Sequence, residues 1–307
     1  MRTAYISHPA CLRHEMIEGH PECPERIDAI RDQLLADGIF DFLRHYDAPA
    51  ATNWQLRRVH QRGYVKKILS GSPKEGLVHI DPDTYMNPHT TRAAVRAAGS
   101  AVLATNLVVS GKVDNAFCCV RPPGHHATQD EGMGFCFFNN VAVGAAHALA
   151  KYRLERVAIV DFDVHHGNGT EDIFENDGRV MVCSAYQHPF YPYSGRPTVD
   201  GRLINVELKP GTTGAEFREA LTRQWFPQLR NFQPQMIFIS AGFDAHVEDD
   251  MAELQLSERD YVWVTQQMMA LAEEYAKNRI VSVLEGGYAL HALGRSVAAH
   301  VRALMRL

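Results

Sequence analysis

Three kinds of feature are scarce in this sequence, and each absence narrows the class of protein. No apolar run reaches the roughly 18 residues of a membrane-spanning helix, and residues 1–8 lack the charged-then-apolar pattern of a secretion signal. The six cysteines include no Cys-x-x-Cys pair, so we expect reduced thiols rather than disulfides or a thiolate zinc site. A formal charge of −5 provides no basic field for nucleic acid. We therefore expect a cytoplasmic protein that binds neither membranes nor nucleic acid.

Short apolar stretches alternate with helical stretches along the 307 residues. The predicted strands are Ala4 to Ser7, Ala116 to Val120, Val157 to Phe162, Val180 to Ser184, Leu203 to Val206, Met236 to Ser240 and Ile280 to Leu284. The predicted helices are Ile27 to Leu35, Val59 to Leu69, Thr90 to Val109, one that begins at Asn139, Ala215 to Leu229, Ser257 to Lys277 and Leu290 to Met305. This alternation predicts one α/β domain over residues 1–307, with a central, mostly parallel β-sheet flanked by helices.

The stretch from Ile159 to Thr170 places acids, histidines and glycines at the end of an apolar strand. Alternate side chains of an extended strand share a face, so Asp161, Asp163 and His165 are expected to point the same way. Two carboxylates and an imidazole suit a divalent cation such as Zn²⁺, with further ligands from elsewhere. The alternative is a strand end whose polar groups only cap the next helix.

Polar motifs follow four of the predicted strands. They are His125-His126, the stretch with Asp163 and His165, the segment Ser240 to His246 with Asp244, and the segment Leu284 to Tyr288. Each motif alone is a weak signal. In a parallel sheet, however, functional groups gather outside the carboxyl ends of the strands. We therefore expect the four motifs to form one active site in a cleft.

Five motifs resemble the histone deacetylase family, which has the arginase/deacetylase fold. They are Arg121-Pro-Pro-Gly-His-His-Ala127, Gly134-Phe-Cys-Phe-Phe-Asn-Asn140, Val160 to Thr170, Ala241 to His246 and Glu285-Gly-Gly-Tyr288. Asn168 and the segment from His20 to Arg26 resemble the class II branch and its bacterial amidohydrolase relatives. The resemblance implies a zinc-dependent enzyme that hydrolyses N-acetyl groups on lysine or polyamines.

The chemistry of such an enzyme can also be built from the residues themselves. Asp163, His165 and Asp244 supply three ligands and leave positions open for a water and an acyl oxygen, as in a catalytic zinc site. The metal lowers the pKa of the water and polarises the carbonyl group. The Gly-Gly turn allows the phenol of Tyr288 to approach the oxyanion as a hydrogen-bond donor.

His125 and His126 are expected to transfer protons. By resemblance, His125 donates to Asp161 and His126 donates to Asn168. Because a carboxylate favours an imidazolium more than an amide does, His126 is the expected neutral base. The resemblance also implies a monovalent cation, K⁺, held largely by backbone oxygens near Asp161, Asp163, His165 and Ser184.

The substrate is expected to enter an apolar tunnel. The resemblance places Gly134, Phe135 and Tyr191 in its walls, although core aromatics are the alternative interpretation of the two rings. The segment from Ile80 to Pro88 is predicted as an irregular loop, with acids that face either substrate or solvent. From this loop, Asp81 is expected to hold the substrate backbone.

Substrate choice depends on the tunnel rim. Polyamine-selective relatives place a Glu shortly after the third metal ligand, and the aligned position here is the apolar Met251. Glu248 or Glu253 could supply that charge from a shifted loop. We expect the substrate to be an acylated lysine in a peptide or protein, or a small acylated amine. Acetylpolyamine hydrolysis is the alternative.

Two other function classes fit the same fold. An inactive binding module would lack a metal ligand or the tyrosine, and this chain has every one of them. A ureohydrolase would hold two metals through additional acids, whereas the segment from Arg121 to Ala127 supplies histidines and no acid. A deacetylase is therefore predicted, and the sequence leaves a homo-oligomer open.

Overall fold

A large parallel β-sheet forms the centre of the protein in the computed structural model, which describes residues 1–195 and 201–307. The strands of these residues are β1 (Thr3–Ser7), β2 (Arg44–Asp47), β3 (Val78–Asp81), β4 (Thr84–Met86), β5 (Asn115–Cys118), β6 (Val157–Asp161), β7 (Val180–Gln187), β8 (Leu203–Leu208), β9 (Met236–Ala241) and β10 (Ile280–Leu284). Eight of them form the sheet in the order β2-β1-β5-β10-β9-β6-β7-β8, and all neighbouring pairs are parallel. Strands β3 and β4 form a separate antiparallel hairpin.

Helices cover both faces of this sheet. They are α1 (Glu25–Ala36), α2 (Asn53–Leu56), α3 (Arg62–Leu69), α4 (Thr90–Val109), α5 (Asn140–Tyr152), α6 (Asn168–Phe174), α7 (Gly214–Phe232), α8 (Glu258–Tyr275) and α9 (Leu290–Met305). The described helices include none with the length and hydrophobicity of a membrane-spanning segment.

The alternation of side chains along β6 builds a core on each face of the sheet. Ala158 and Val160 join a cluster with α1, α7, α8 and α9, whereas Ile159 joins a second cluster with α4 and α5. Because both faces are buried, the strand has no polar side and reads as a continuous apolar run. The predicted α/β fold class, with a mostly parallel sheet flanked by helices, is confirmed.

Two local predictions are wrong. The segment from Ile80 to Pro88 is not an irregular loop throughout, because hairpin strands β3 and β4 occupy most of it. The helix predicted from Val59 begins only at Arg62, after a backbone bond from Gln61 to Gln129 turns the chain. Strand β2, which the sequence did not reveal, is a largely exposed edge strand of charged and polar residues with no apolar run to mark it.

Candidate active site

The four strands that carry the predicted motifs are neighbours in the sheet. They are β5, β10, β9 and β6, in that spatial order. Their ends are level, since Asp161 is in register with Ser240, and Ala241 is in register with Leu284. The loops that follow them therefore meet above the middle of the sheet, as expected for functional groups of a parallel α/β fold.

Asp163, His165 and Asp244 form a buried cluster at this edge. Their ligand atoms all lie within 4.8 Å of one another. The amide of Gly286 donates to Asp163 Oδ2 at 2.8 Å, and the amide of Val164 donates to Asp244 Oδ1 at 2.9 Å. Backbone amides from the loops after β6 and β10 thus hold the two carboxylates in place.

The cluster fits a divalent cation. Asp244 Oδ2 is buried and has no well-aligned hydrogen-bond donor among the described residues, although His165 Nδ1 lies 3.3 Å from it. Burial and the negative charge of Asp163 together raise the pKa of Asp244 to about 6. A Cβ atom on Gly286 would stand 2.0 Å from Asp244 Oδ2. Two buried carboxylates and an imidazole beside a cleared space match the donor set of a catalytic zinc site.

The tandem histidines lie beside this cluster, each with a different partner. His125 Nδ1 lies 2.9 Å from Asp161 Oδ2, and His126 Nδ1 lies 2.7 Å from Asn168 Oδ1. The centres of the two imidazole rings are 4.0 Å apart. Both pairs are those that the resemblance implied.

The two partners give the histidines opposite protonation tendencies. Burial lowers the pKa of His125, but the carboxylates of Asp163 and Asp161 outweigh burial and hold it well above its usual range. Burial and the positive charges of His125 and His165 hold the pKa of His126 well below its usual range. The lowered pKa favours a neutral imidazole at His126, the protonation state that a general base needs.

Glu285 holds the backbone of the segment that carries the histidine pair. Its Oε2 accepts hydrogen bonds from the amides of Gly124 at 2.6 Å and His125 at 3.1 Å. Burial raises the pKa of this carboxyl to about 7. The sequence marked Glu285 only as part of a motif, and its contact with the His125 backbone depends on β5 and β10 being adjacent.

The turn that carries Tyr288 is held from two sides. The amides of Tyr288 and Ala289 donate to Asp249 Oδ2 at 2.6 and 3.0 Å. On the other side, Arg26 Nε donates to the carbonyl oxygen of Gly287 at 2.7 Å, and its guanidinium lies 5.0 Å from the centre of the Tyr288 ring. Gly287 has a φ of +121°, a conformation that side chains rarely adopt.

A fully buried ion cluster lies behind this turn, and sequence reasoning missed it. Glu22 Oε2 accepts from Arg121 Nη2 at 2.7 Å, and Glu22 Oε1 accepts from Arg26 Nη1 at 3.1 Å. Burial opposes ionisation of Glu22, but Arg121, His14 and Arg26 outweigh it and hold its pKa well below the usual range. One sequence signal could have indicated the cluster. Glu22 and Arg26 both lie in the family-like segment from His20 to Arg26, and Arg121 opens another family-like motif.

A pocket of about 200 Å³ opens above the cluster and the histidine pair. Its lining includes the predicted tunnel residues Gly134, Phe135, Tyr191 and Met251, together with Phe190 and Tyr288. The Phe135 and Tyr288 rings meet edge to face, with centres 6.0 Å apart. This narrow, mostly aromatic passage suits an unbranched alkyl chain.

The acids named from the sequence, Asp81, Glu248 and Glu253, do not line this pocket. Asp81 is absent from this lining but borders an adjoining cavity that shares Asp83 and Tyr191 with it. Its Oδ2 accepts from the amide of Gly134 at 3.3 Å and its Oδ1 from the amide of Asp83 at 3.0 Å. Asp83 lines the pocket instead. Glu248 pairs with an arginine, Arg295, at 2.6 Å, and Glu253 lies 3.5 Å from the amide of Gln187.

Ser184 occupies the position in β7 that is in register with Asp161 of β6. Its hydroxyl lies 3.4 Å from the amide of Gly167, in the loop after β6. The four residues predicted to surround K⁺ thus lie on the adjacent strands β6 and β7 or in the loop after β6, which also carries two of the three cluster residues.

The fold and the site together define a metal-dependent hydrolase. Residues 20–304 match the histone deacetylase domain, and the chain belongs to the histone deacetylase family. It is 38% identical to a probable deacetylase of Archaeoglobus fulgidus, over 94% of this chain and 82% of the relative. It is 37% identical to a histone deacetylase-like amidohydrolase of Pseudomonas aeruginosa, over 88% and 73% of the two chains.

A solved structure agrees with this family. The crystal structure of the HDA15 HD domain superposes with a TM-score of 0.93 at 33% sequence identity, over 99% of this chain and 88% of that one. The protein is accordingly a hydrolytic deacetylase, as the sequence predicted.

Proposed function

We propose that this protein is a zinc-dependent deacetylase that hydrolyses acylated lysine side chains in peptides or proteins, or similar acylated amines. The observation that carries the proposal is the cluster of Asp163, His165 and Asp244 at the floor of an aromatic pocket, with Tyr288 and the histidine pair beside it. These three residues would hold a zinc ion, which would supply a Lewis acid for the carbonyl oxygen and a water of lowered pKa.

Other residues of the pocket transfer protons and stabilise the oxyanion. The neutral His126 accepts the proton of the attacking water, and an imidazolium of the pair returns a proton to the leaving amine. His125, held by Asp161, keeps its charge next to the reacting groups. The phenol of Tyr288 donates a hydrogen bond to the oxygen that becomes the oxyanion.

Acetylpolyamine hydrolysis is the second candidate. A polyamine carries another ammonium group, which an acid must compensate as the substrate leaves water. Met251 provides no charge at the rim, and Glu248 and Glu253 do not line the pocket, which supports acyl-lysine. One observation favours a polyamine instead: Asp83, an acid, lines the pocket.

A comparison of substrates tests the proposal. The purified protein, loaded with zinc, would be assayed with a fluorogenic acetyl-lysine peptide, acetylspermidine and acetylputrescine, before and after chelation. We expect turnover of the peptide that disappears on chelation and returns with zinc. A kcat/KM for either acetylpolyamine at least tenfold above that of the peptide would reverse the substrate assignment, and full activity after complete metal removal would contradict zinc dependence.

A potassium site near Asp161, Asp163, His165 and Ser184 is a further part of this proposal. Its support is the resemblance and the register of Asp161 with Ser184. Activity measured in KCl and in NaCl of equal ionic strength tests it, since a specific site distinguishes the two ions and simple screening does not.

A further inference from the structure

Asp249 is a buried acid that the proposed chemistry does not use. It lies in the loop after the metal-binding Asp244 and is 5% exposed. Its carboxylate accepts three backbone hydrogen bonds: Oδ2 from Tyr288 and Ala289, and Oδ1 from Met251 at 3.0 Å. Both oxygens are thus occupied by amides of residues in or next to the substrate pocket.

These bonds join two segments that are distant in the sequence. Asp249 and Tyr288 are 39 positions apart, and Met251 belongs to the same loop as Asp249. Both Met251 and Tyr288 line the pocket. One carboxylate therefore fixes the backbone of the rim residue and the backbone of the proposed oxyanion donor.

The turn before Tyr288 needs such a restraint. Gly286 and Gly287 are adjacent in it, and glycine leaves the backbone unusually free. Arg26 holds the carbonyl oxygen of Gly287, and Asp163 accepts from the amide of Gly286. The amides of Tyr288 and Ala289, where the turn reaches the phenol, are held by Asp249. Hydrogen bonds to an ionised carboxylate are about twice as strong as neutral ones, and the first residues of α9 favour a negative charge at this point.

We propose that Asp249 is a positioning residue that sets the phenol of Tyr288 at the distance from the acyl oxygen that the reaction requires. This inference rests on the proposed function, because it gives Tyr288 the role of donor. It predicts that Asp249 affects kcat through Tyr288 and leaves the metal ligands intact, since Asp244 is held separately by the amide of Val164.

The test is a double-mutant cycle on the zinc-loaded enzyme. Asp249→Asn keeps the size of the side chain but turns one acceptor oxygen into an amide donor that faces a backbone N–H. We expect kcat to fall about 10- to 100-fold, the scale of a misplacement of about 1 Å, with full zinc content. The exposed neighbour provides the matched control, and Asp250→Asn should leave kcat unchanged.

The same substitution is then made together with Tyr288→Phe. If Asp249 acts through the phenol, Asp249→Asn causes little further loss in this background, because the group that it positions is gone. An equal fold loss in both backgrounds, or loss of zinc from Asp249→Asn, would overturn the inference. Near-normal kcat in Tyr288→Phe alone would instead contradict the proposed function. Should Asp249→Asn fail to fold, Asp249→Glu, which keeps both acceptor oxygens, takes its place in the cycle.

Discussion

Two carboxylates buried beside one imidazole dominate the chemistry of this site at the scale of single residues. Removal of either acid takes away a ligand and a negative charge, so Asp163→Ala and Asp244→Ala should each abolish zinc binding and activity. Elemental analysis of the purified variants measures the zinc, and a peptide assay measures the activity. Asp250→Ala, which removes an exposed acid nearby, is the control. Full zinc occupancy in either ligand variant would be incompatible with the assignment.

Tyr288 presents the opposite case in the proposed mechanism, a residue expected to be needed for turnover but not for the metal. Tyr288→Phe removes only the phenolic hydroxyl, which is the proposed donor to the oxyanion. We expect kcat to fall by roughly 100-fold or more, the usual effect of losing one such donor, while zinc content stays at the wild-type level. Steady-state kinetics together with metal analysis separates these two effects, and a kcat close to that of the wild type would exclude the hydroxyl from the reaction.

Met251 is the residue at which substrate preference can be changed. Met251→Glu adds a negative charge to the pocket lining, where it can pair with the second ammonium of a polyamine. We expect the ratio of kcat/KM for acetylspermidine to that for an acetyl-lysine peptide to rise at least about tenfold, equivalent to roughly 1.4 kcal/mol. Met251→Gln introduces a side chain as long as that of Glu but without the charge, and it should leave this ratio nearly unchanged. A similar rise in Met251→Gln would show that the size of the side chain, and not its charge, causes the effect.

Single residues also mark the limit of what the sequence predicts. The positions of Asp163, His165 and Asp244 followed from strand periodicity and motifs. The contacts of Asp249 and Glu285 could not be predicted in the same way, because each carboxylate accepts hydrogen bonds from backbone amides of a segment distant in the sequence. A backbone amide carries no residue-specific signal, so the partner of such an acid is invisible until the fold is known.

At the scale of elements, His300 connects α9 to α8 and β10. Its Nδ1 lies 2.6 Å from the hydroxyl of Thr265, and its Nε2 lies 2.9 Å from the hydroxyl of Ser282. All three residues are fully buried. His300→Asn leaves a small cavity and at least one unpaired hydroxyl, which should lower the free energy of unfolding by about 3 kcal/mol at pH 7.

The same histidine gives this effect a pH dependence. Burial lowers the pKa of His300 from 6.5 to about 3. The folded state therefore keeps the ring neutral, so its contribution is complete above about pH 6.5 and declines as the pH falls towards 3. Between pH 7 and pH 5 the wild type should lose roughly 2 kcal/mol more than His300→Asn. Urea unfolding at both pH values measures the gap, and a constant gap would contradict the neutral, buried state of His300.

Elements with strong periodicity were predicted well, and elements defined by pairing were not. Helices α4 and α9 match the predicted ranges because their buried stripes repeat over several turns. The hairpin of β3 and β4 is partly exposed and contains Pro82, so its sequence is typical of a turn. Pairing between two short strands decides its structure, and local patterns do not record that pairing.

At the scale of the whole molecule, the Glu22 cluster connects the first part of the chain to the strand ends. Glu22→Gln would leave the buried charges of Arg26 and Arg121 poorly compensated. We expect the free energy of unfolding to fall by about 3 to 5 kcal/mol, the usual result of removing one partner of a buried ion pair. Glu25→Gln, an exposed acid on the same segment, should change it by less than about 0.5 kcal/mol. Similar losses in both variants, measured by chemical unfolding, would contradict this role of the cluster.

The sequence predicted that four strand ends meet, but not which strands are neighbours. Parallel strands follow one another through crossovers, so their order in the chain differs from their order in the sheet. Here β9 and β10 lie between β5 and β6. That placement brings Asp244 and Tyr288 to the same edge of the sheet as the histidine pair and Asp163, and no local pattern specifies it.

This strand order also determines when the site can first exist during synthesis. A ribosome produces β5 and β6, with the histidine pair and two metal ligands, before β9 and β10, which separate them in space. The growing chain must therefore leave the middle of its sheet open until its later residues emerge. The proposed ligand set is therefore complete only once the loop after β9, with Asp244, has been made, and a chain that stops before it lacks both this carboxylate and the Tyr288 turn.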